Sequence, residues 1–169
     1  MDKFILNFSH QIFLLDVCVR KNTLYTSFRE PWGSNFRVQL QITMYSYPEE
    51  TWTNIFHFTQ GGDQSRYGDR IPAVFVNKSG FFRISSAING NPNHSFDKSF
   101  RLNKTYVILI EQFYDQFSIK VNGWNVYSIR NKQAQDFRNV KLYISDPWNG
   151  PLYGYGKVGT LYFSNSRRW

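Results

Sequence analysis

Residues 54–76, NIFHFTQGGDQSRYGDRIPAVFV, decide how the fold is read. Two apolar runs, Ile55–Phe58 and Ile71–Val76, flank a polar loop from Gly61 to Asp69 that holds Asp63, Gln64, Arg66, Tyr67, Gly68 and Asp69. Short runs rich in β-branched and aromatic residues, bounded by glycines, predict two core strands joined by a structured loop. The loop carries more hydrogen-bonding chemistry than any other short stretch, so it is expected to shape one rim of a ligand surface.

Working outward, Phe36, Val38, Leu40, Ile42 and Met44 alternate with Arg37, Gln39, Gln41, Thr43 and Tyr45. That period of two predicts a strand with one face in the core and one toward water or ligand. Further strands are expected at Thr23–Phe28, Phe81–Ala87, Tyr106–Gln112, Phe117–Val121, Trp124–Arg130, Asn139–Ser145 and Thr160–Ser164, and short ones within residues 4–28, where Phe13, Leu15, Val17 and Val19 alternate with polar or smaller neighbours. Asn122-Gly123 predicts a two-residue hairpin, because a type I′ turn needs positive φ at both central positions. Asn89–Ser95, NGNPNHS, reads as a loop, and Asp146–Pro151 as a rigid turn. No stretch has a useful helical period; residues 131–138 have room for one turn. The sum is an all-β chain, an antiparallel sandwich or barrel of ten to twelve strands with little or no helix. Residues 1–169 read as a single domain.

Composition narrows the class. Aromatic residues make up 19% of the chain and charged residues 19%, a balance that favours a packed β core over disorder. The formal net charge of +8 would suit nucleic acid, sulfated glycan or an anionic membrane. The cations are scattered, however, with no run longer than Arg20-Lys21 or Arg167-Arg168, so a solvated basic surface is expected. No RNP run or GXXG loop supports a specific nucleic-acid partner. The lone Cys18 excludes an intrachain disulfide. Four Asn-x-Ser/Thr sequons, at Asn7, Asn77, Asn93 and Asn103, point instead to a secreted chain and are glycosylation candidates. No apolar window of about 18 residues is present, so no transmembrane span is expected. The N-terminal stretch lacks the pattern of a signal peptide, so a secreted chain would have its signal outside this sequence.

Catalytic patterns are weak. Glu111 and Asp115 are the nearest pair of acids that could act on a glycosidic bond, but a reversal near Asp115 takes them off a common strand face. The histidines at 10, 57 and 94 lack the spacing of a metal site. Gly154–Gly159 satisfies G-x-G-x-x-G, yet a proline turn precedes it and a β run follows, so its glycines are read as a loop entering the last strand. Asp69-Arg70 reads either as a clamp, with Arg70 on a carboxylate and Pro72 at a bulge or edge, or as a contact to sugar hydroxyls. Trp52, Tyr67, Trp124 and Trp148 are possible stacking platforms for sugar rings. The expected ligand-binding set is Asp63, Tyr67, Asp69, Arg70, Asn89, Asn91 and Trp148, with Arg37, Gln39 and Gln41 as candidates on a polar sheet face.

The pieces YGDRIPAVFV (67–76), SAINGN (86–91), KVNGW (120–124) and SDPW (145–148) give residues 22–165 a resemblance to laminin-G-like domains of the concanavalin-A-like jelly-roll superfamily, most of all to a divergent invertebrate extracellular set. That resemblance implies two curved antiparallel sheets face to face, and an extracellular adhesion or carbohydrate-recognition role. It does not imply galectin-type galactoside binding, because His57-Phe58-Thr59-Gln60 lacks that family's sugar run. Asp63 and Asp69 are loop acids, but neither aligns with a laminin-G-like calcium position. The expectation is therefore a lectin-like, non-enzymatic module that binds carbohydrate. The alternative is a protein–protein adhesion or structural module without glycan binding. Partners are a glycan or an extracellular protein, with no cofactor; a structural calcium stays open, without a motif behind it.

Overall fold

The computed structural model describes residues 8–13 and 20–165. These residues form thirteen strands and no helix. In order they are β1 (Phe8–Phe13), β2 (Leu24–Ser27), β3 (Asn35–Met44), β4 (Trp52–Thr59), β5 (Ala73–Asn77), β6 (Phe81–Ile88), β7 (Asn91–Ser99), β8 (Thr105–Phe113), β9 (Gln116–Val121), β10 (Trp124–Arg130), β11 (Lys141–Ile144), β12 (Gly150–Pro151) and β13 (Gly156–Asn165). One sheet has the order β1-β13-β3-β8-β9-β10, the other β2-β11-β4-β5-β6-β7. The two-residue β12 pairs with β4 and makes the one parallel pairing; all others are antiparallel. The sheets are open at their edges, so the fold is a sandwich of the jelly-roll kind and not a barrel.

The period-two pattern of β3 is realised in full. Phe36, Val38, Leu40, Ile42 and Met44 are buried, while Arg37, Gln39 and Gln41 are exposed. They meet Phe56, Phe58, Val74, Phe82 and Ile84 of the other sheet in one core. Trp32 lies 4.4 Å from Phe58, ring centre to ring centre, nearly parallel to it. Large flat rings of this kind supply much of the apolar area that a sandwich must bury. Asn122 and Gly123 have φ of 51° and 84°, the values the hairpin turn demands.

Four details differ from the reading of the sequence. There are thirteen strands and not ten to twelve. Asn91–Ser95 is strand and not loop: only Asn89 and Gly90, with φ of 50° and 82°, make the turn. The misleading signal is Pro92, and the structure accepts it because β7 is an edge strand paired only with β6. Gly156 and Gly159 lie inside β13, not in a loop before it; a Cβ on Gly156 would come within 2.8 Å of the Thr43 carbonyl oxygen. Pro72 marks neither edge nor bulge. It precedes β5, which runs between β4 and β6, and the register shift in that pair is at Asn54/Phe56. The expected alternation across Phe13–Val19 falls outside the described residues beyond Phe13.

Candidate functional site

The central strand β4 is buried along nearly its whole length, on both faces. Its inner face is core. Its outer face is roofed by the loop of residues 60–70 and by the turn after β11. Pairing across the sheet sets Tyr143, His57, Ala73, Ser85 and Ser95 in one row on this outer face, with Phe75, Arg83 and Asp97 in a second. The bulge at Asn54 lets that side chain donate to the carbonyls of Phe56 and Val74 while accepting from the Asp146 amide. A one-residue bulge thus ties the turn to the sheet.

His57 and Asp146 are fully buried and bonded, Nδ1 to Oδ2, at 2.8 Å. The other ring nitrogen, Nε2, lies 2.6 Å from the Asp69 carbonyl oxygen. Both ring nitrogens face oxygen atoms, so the ring is held between the Asp146 carboxylate and the Asp69 carbonyl. Burial pushes the Asp146 carboxyl up, but His57, followed by Asn149, outweighs it and holds the carboxyl below its ordinary value. Asp146 also accepts from the Trp148 and Asn149 amides, which shapes the turn. Trp148 then covers His57 at 5.5 Å.

The loop is held just as closely. The Thr59 hydroxyl accepts from the amides of Gly61 and Gly62. The buried Asp69 carboxylate accepts from Ser65 and Arg66. Gly62 is required here, because a Cβ would press into that carboxylate, 2.5 Å from one oxygen. Arg70 follows, buried, with its guanidinium over the Phe75 ring at 4.4 Å. Its guanidinium donates to the Asp63 carbonyl (2.9 Å) and carboxylate (2.8 Å), to Asn93 Oδ1 (2.6 Å) and to the Ser85 hydroxyl (3.4 Å). Asn93 in turn donates to Gln64.

Beside this network is a small niche of about 80 Å³ lined by Trp52, Asp63, Gln64, Arg70, Phe75, Arg83, Asn93 and Asn149. The Arg83 guanidinium lies over the Trp52 ring at 4.3 Å and forks onto both oxygens of Asp97 at 2.7 Å each. A guanidinium held between a ring and a carboxylate loses little further freedom when a ligand arrives.

The structure therefore brings Asp63 and Arg70 together, with Asp69 beneath them as the loop's internal cap. Trp148 is nearby as the cover of His57. Tyr67 and Asn89 fall elsewhere, at the rim formed by residues 130–133: Tyr67 donates to the Gln133 carbonyl and Asn89 Nδ2 to the Arg130 carbonyl. Burial raises the Tyr67 hydroxyl's pKa, against hydrogen bonds with Gly90 and Asn131. Asn91 accepts from the Asn93 amide. Among the sequons, the Asn93 side chain is engaged at the niche, the Asn77 side chain caps the Ser79 amide, Asn103 is in an exposed turn, and Asn7 lies outside the described residues.

Trp52, Arg83 and Asn149 do not read as a set in the sequence, because Arg83 lies 31 positions after Trp52 and Asn149 lies 66 positions after Arg83. Only strand pairing unites them. For the same reason the sequence hides the approach of His57, Asp63 and Asp146, whose donor atoms lie within 4.8 Å of one another. Those atoms are turned to each other and to Arg70, so a cation there would compete with the hydrogen bonds of His57 and Arg70.

On the opposite sheet, Glu111 is flanked by Arg37 at 2.6 Å and Lys120 at 3.1 Å. Burial raises its carboxyl, and the two cations outweigh that and hold it below its ordinary value. Asp115 lies past the end of β8 and pairs with Arg130 at 2.6 Å. Gln39 and Gln41 share the exposed face of β3 with Arg37.

No family model and no curated protein matches the chain. Solved structures do. A sialidase from Trypanosoma rangeli superposes with a TM-score of 0.56 at 16% identity, over 80% of this chain and 21% of that one. The same sialidase in complex with 2,3-difluorosialic acid gives 0.53 at 16% identity over the same shares. A protein named HCR/D-Sa-GBL1/C gives 0.55 at 13% identity, over 77% of this chain and 32% of that one. The chain thus spans between about a fifth and a third of the length of these proteins. The expectation of a non-enzymatic chain is corrected by this finding: the sandwich occurs in an enzyme, so its fold class does not set it apart from glycan-active enzymes. At such identities the likeness establishes the fold, a jelly-roll-like β-sandwich.

Proposed function

We propose that this chain is a carbohydrate-recognition module of laminin-G-like type that acts outside the cell and takes the polar edge of a saccharide at the niche around Arg70 and Arg83. The observation that carries the reading is the prebuilt polar wall. Arg70, Asp63, Asn93 and Gln64 are fixed by mutual hydrogen bonds, and Arg83 is fixed on Trp52 and Asp97. Sugar hydroxyls both donate and accept, and planar amides, carboxylates and guanidinium groups meet them in pairs. A niche of about 80 Å³ takes one edge of a ring, leaving the rest on the rim formed by Trp52 and Asn149. The fold it shares with a sialidase is compatible with sugar chemistry on this sandwich. The exposed sequon at Asn103 supports the extracellular placement.

A glycan array run in low and in physiological salt tests this, with wild type beside Arg83→Ala and Asn93→Ala. The expected result is a set of hits that survives physiological salt and is lost in both variants. No hit in either salt, or hits indifferent to both substitutions, would sink the niche as a sugar site. The first outcome would leave protein–protein adhesion as the better reading.

A further inference from the structure

A second cleft opens on the other side of β7. Asn93 and Asp97 point to the outer face, so Lys98 points inward, toward the gap between the two sheets. At one end that gap is closed: the β10 residue Tyr127 bonds His94 at 2.6 Å and packs on Phe96. At the other end it is open and forms a cleft of about 620 Å³. Phe100, Tyr106 and Val121, all buried, contribute its apolar lining. Phe82 holds Phe100 and Tyr106 in place from the core, at 4.6 and 5.5 Å.

Two features of this cleft bear on a ligand, although one of its cations, Lys104, also lies over the Tyr106 ring at 5.6 Å. Lys98, Arg101 and Lys104 all line it, no acid lines it, and no carboxylate among the described residues pairs with any of the three. Asp97, the nearest acid in sequence, is committed to Arg83. The second feature is Trp124, which lines the cleft while 78% exposed. No aromatic ring among the described residues packs on it, although the hairpin turn itself needs only Asn122 and Gly123. An exposed indole beside cations that no carboxylate pairs matches a ligand with an anionic group and a flat apolar face.

We infer that this cleft is a binding site for an acidic saccharide, one bearing sulfate or carboxylate groups, with the ring lying on Trp124 and the anionic group held by Lys98, Arg101 and Lys104. The site is independent of the niche at Arg70: the two lie on opposite faces of β7 and share no lining residue. Sulfate and carboxylate place the same demand on the cations, and a sugar ring of either kind presents C–H groups to the indole.

The full chain is titrated with dextran sulfate and, in parallel, with uncharged dextran and with phosphatidylserine vesicles. Wild type is compared with Trp124→Ala, with Lys98→Ala/Lys104→Ala and with Arg83→Ala, each checked for unchanged thermal unfolding. A polyuronate titration then separates carboxylate from sulfate as the preferred group. The expected result is binding of dextran sulfate or polyuronate at physiological salt, weakened tenfold or more by Trp124→Ala and by the double lysine variant, and unmoved by Arg83→Ala. Trp124→Ala removes no charge. Unchanged affinity in that variant would mean that the net charge of +8 alone attracts polyanions, and the site would be overturned. Vesicle binding without polysaccharide binding would overturn it as well, in favour of a membrane surface. Loss of array hits in Arg83→Ala with retained dextran sulfate binding would separate this cleft from the niche.

Discussion

The niche at Arg70 and the cleft at Trp124 lie on the two faces of one strand, and they are built on contrary plans. At the niche nearly every polar group is bonded to another, and Asp69, Arg70 and Asp146 are buried beneath its loop and turn. At the cleft three cations have no carboxylate partner among the described residues, Lys104 lying only over the Tyr106 ring, and an indole is largely exposed. The first arrangement is stable because it is satisfied; a ligand adds to it only at its exposed margin. The second is left unsatisfied, and a ligand can supply what is missing. Buried polar networks are costly when one member is lost, whereas exposed charges contribute little to folding.

That contrast can be broken first at His57. His57→Ala leaves the buried Asp146 carboxylate without its ring partner, and is expected to lower stability by about 3–5 kcal/mol in chemical denaturation. A loss below about 1 kcal/mol would show that the network is not the keystone it resembles, since surface changes fall in that range. Arg70→Met comes next. It preserves the packing on Phe75 but orphans Asp63 and Asn93, both part-exposed, and should cost about 1–3 kcal/mol by the same measurement.

Acid titration probes the same pair from the other side. The Asp146 carboxyl is held below its ordinary value of 3.8 in the folded chain. A depressed folded value means that its pairing stabilises fully above the ordinary value and is lost as pH falls through the folded one. Wild type should therefore lose stability in that acid window, and Asp146→Asn should show a shallower dependence there. A parallel decline in both proteins would exclude this carboxyl as the source.

Arg83→Ala should cost about 0.2–1 kcal/mol, because its pair with Asp97 is largely solvated. Trp124→Ala should be the smallest of all, within about 0.5 kcal/mol of wild type, while weakening binding to acidic saccharide. A marked loss of stability in that variant would make Trp124 a packing residue and erase the contrast between the two regions.

How much of this was legible beforehand depends on the range of the signal. β3 announced both its faces through alternate residues, and Asn122-Gly123 announced its turn, because each is a local rule of period or φ. Asn91–Ser95 misled because Pro92 and two flanking asparagines are local breakers, whereas the position at a sheet edge that excuses them is a property of the sheet. Asp63 and Arg70 read together because they lie only seven positions apart in one loop. Tyr67 and Asn89 looked like members of the same site and are instead tied to the rim near residues 130–133.

The amino-acid order by itself determined that the chain would bury one face of its strands, where its tightest hairpin would turn, and that its loop after β4 would be rich in hydrogen-bonding groups. Tertiary structure decided what those groups do. It spent Asp69, Asp146 and His57 on holding the roof over β4, and it set Arg83 on Trp52 across neighbouring strands. It also left Lys98, Arg101 and Lys104 together at an open end of the sandwich. Period and turn chemistry act between neighbours in sequence, but satisfaction of a buried donor, or the lack of a partner for an exposed cation, depends on which distant strand is paired alongside.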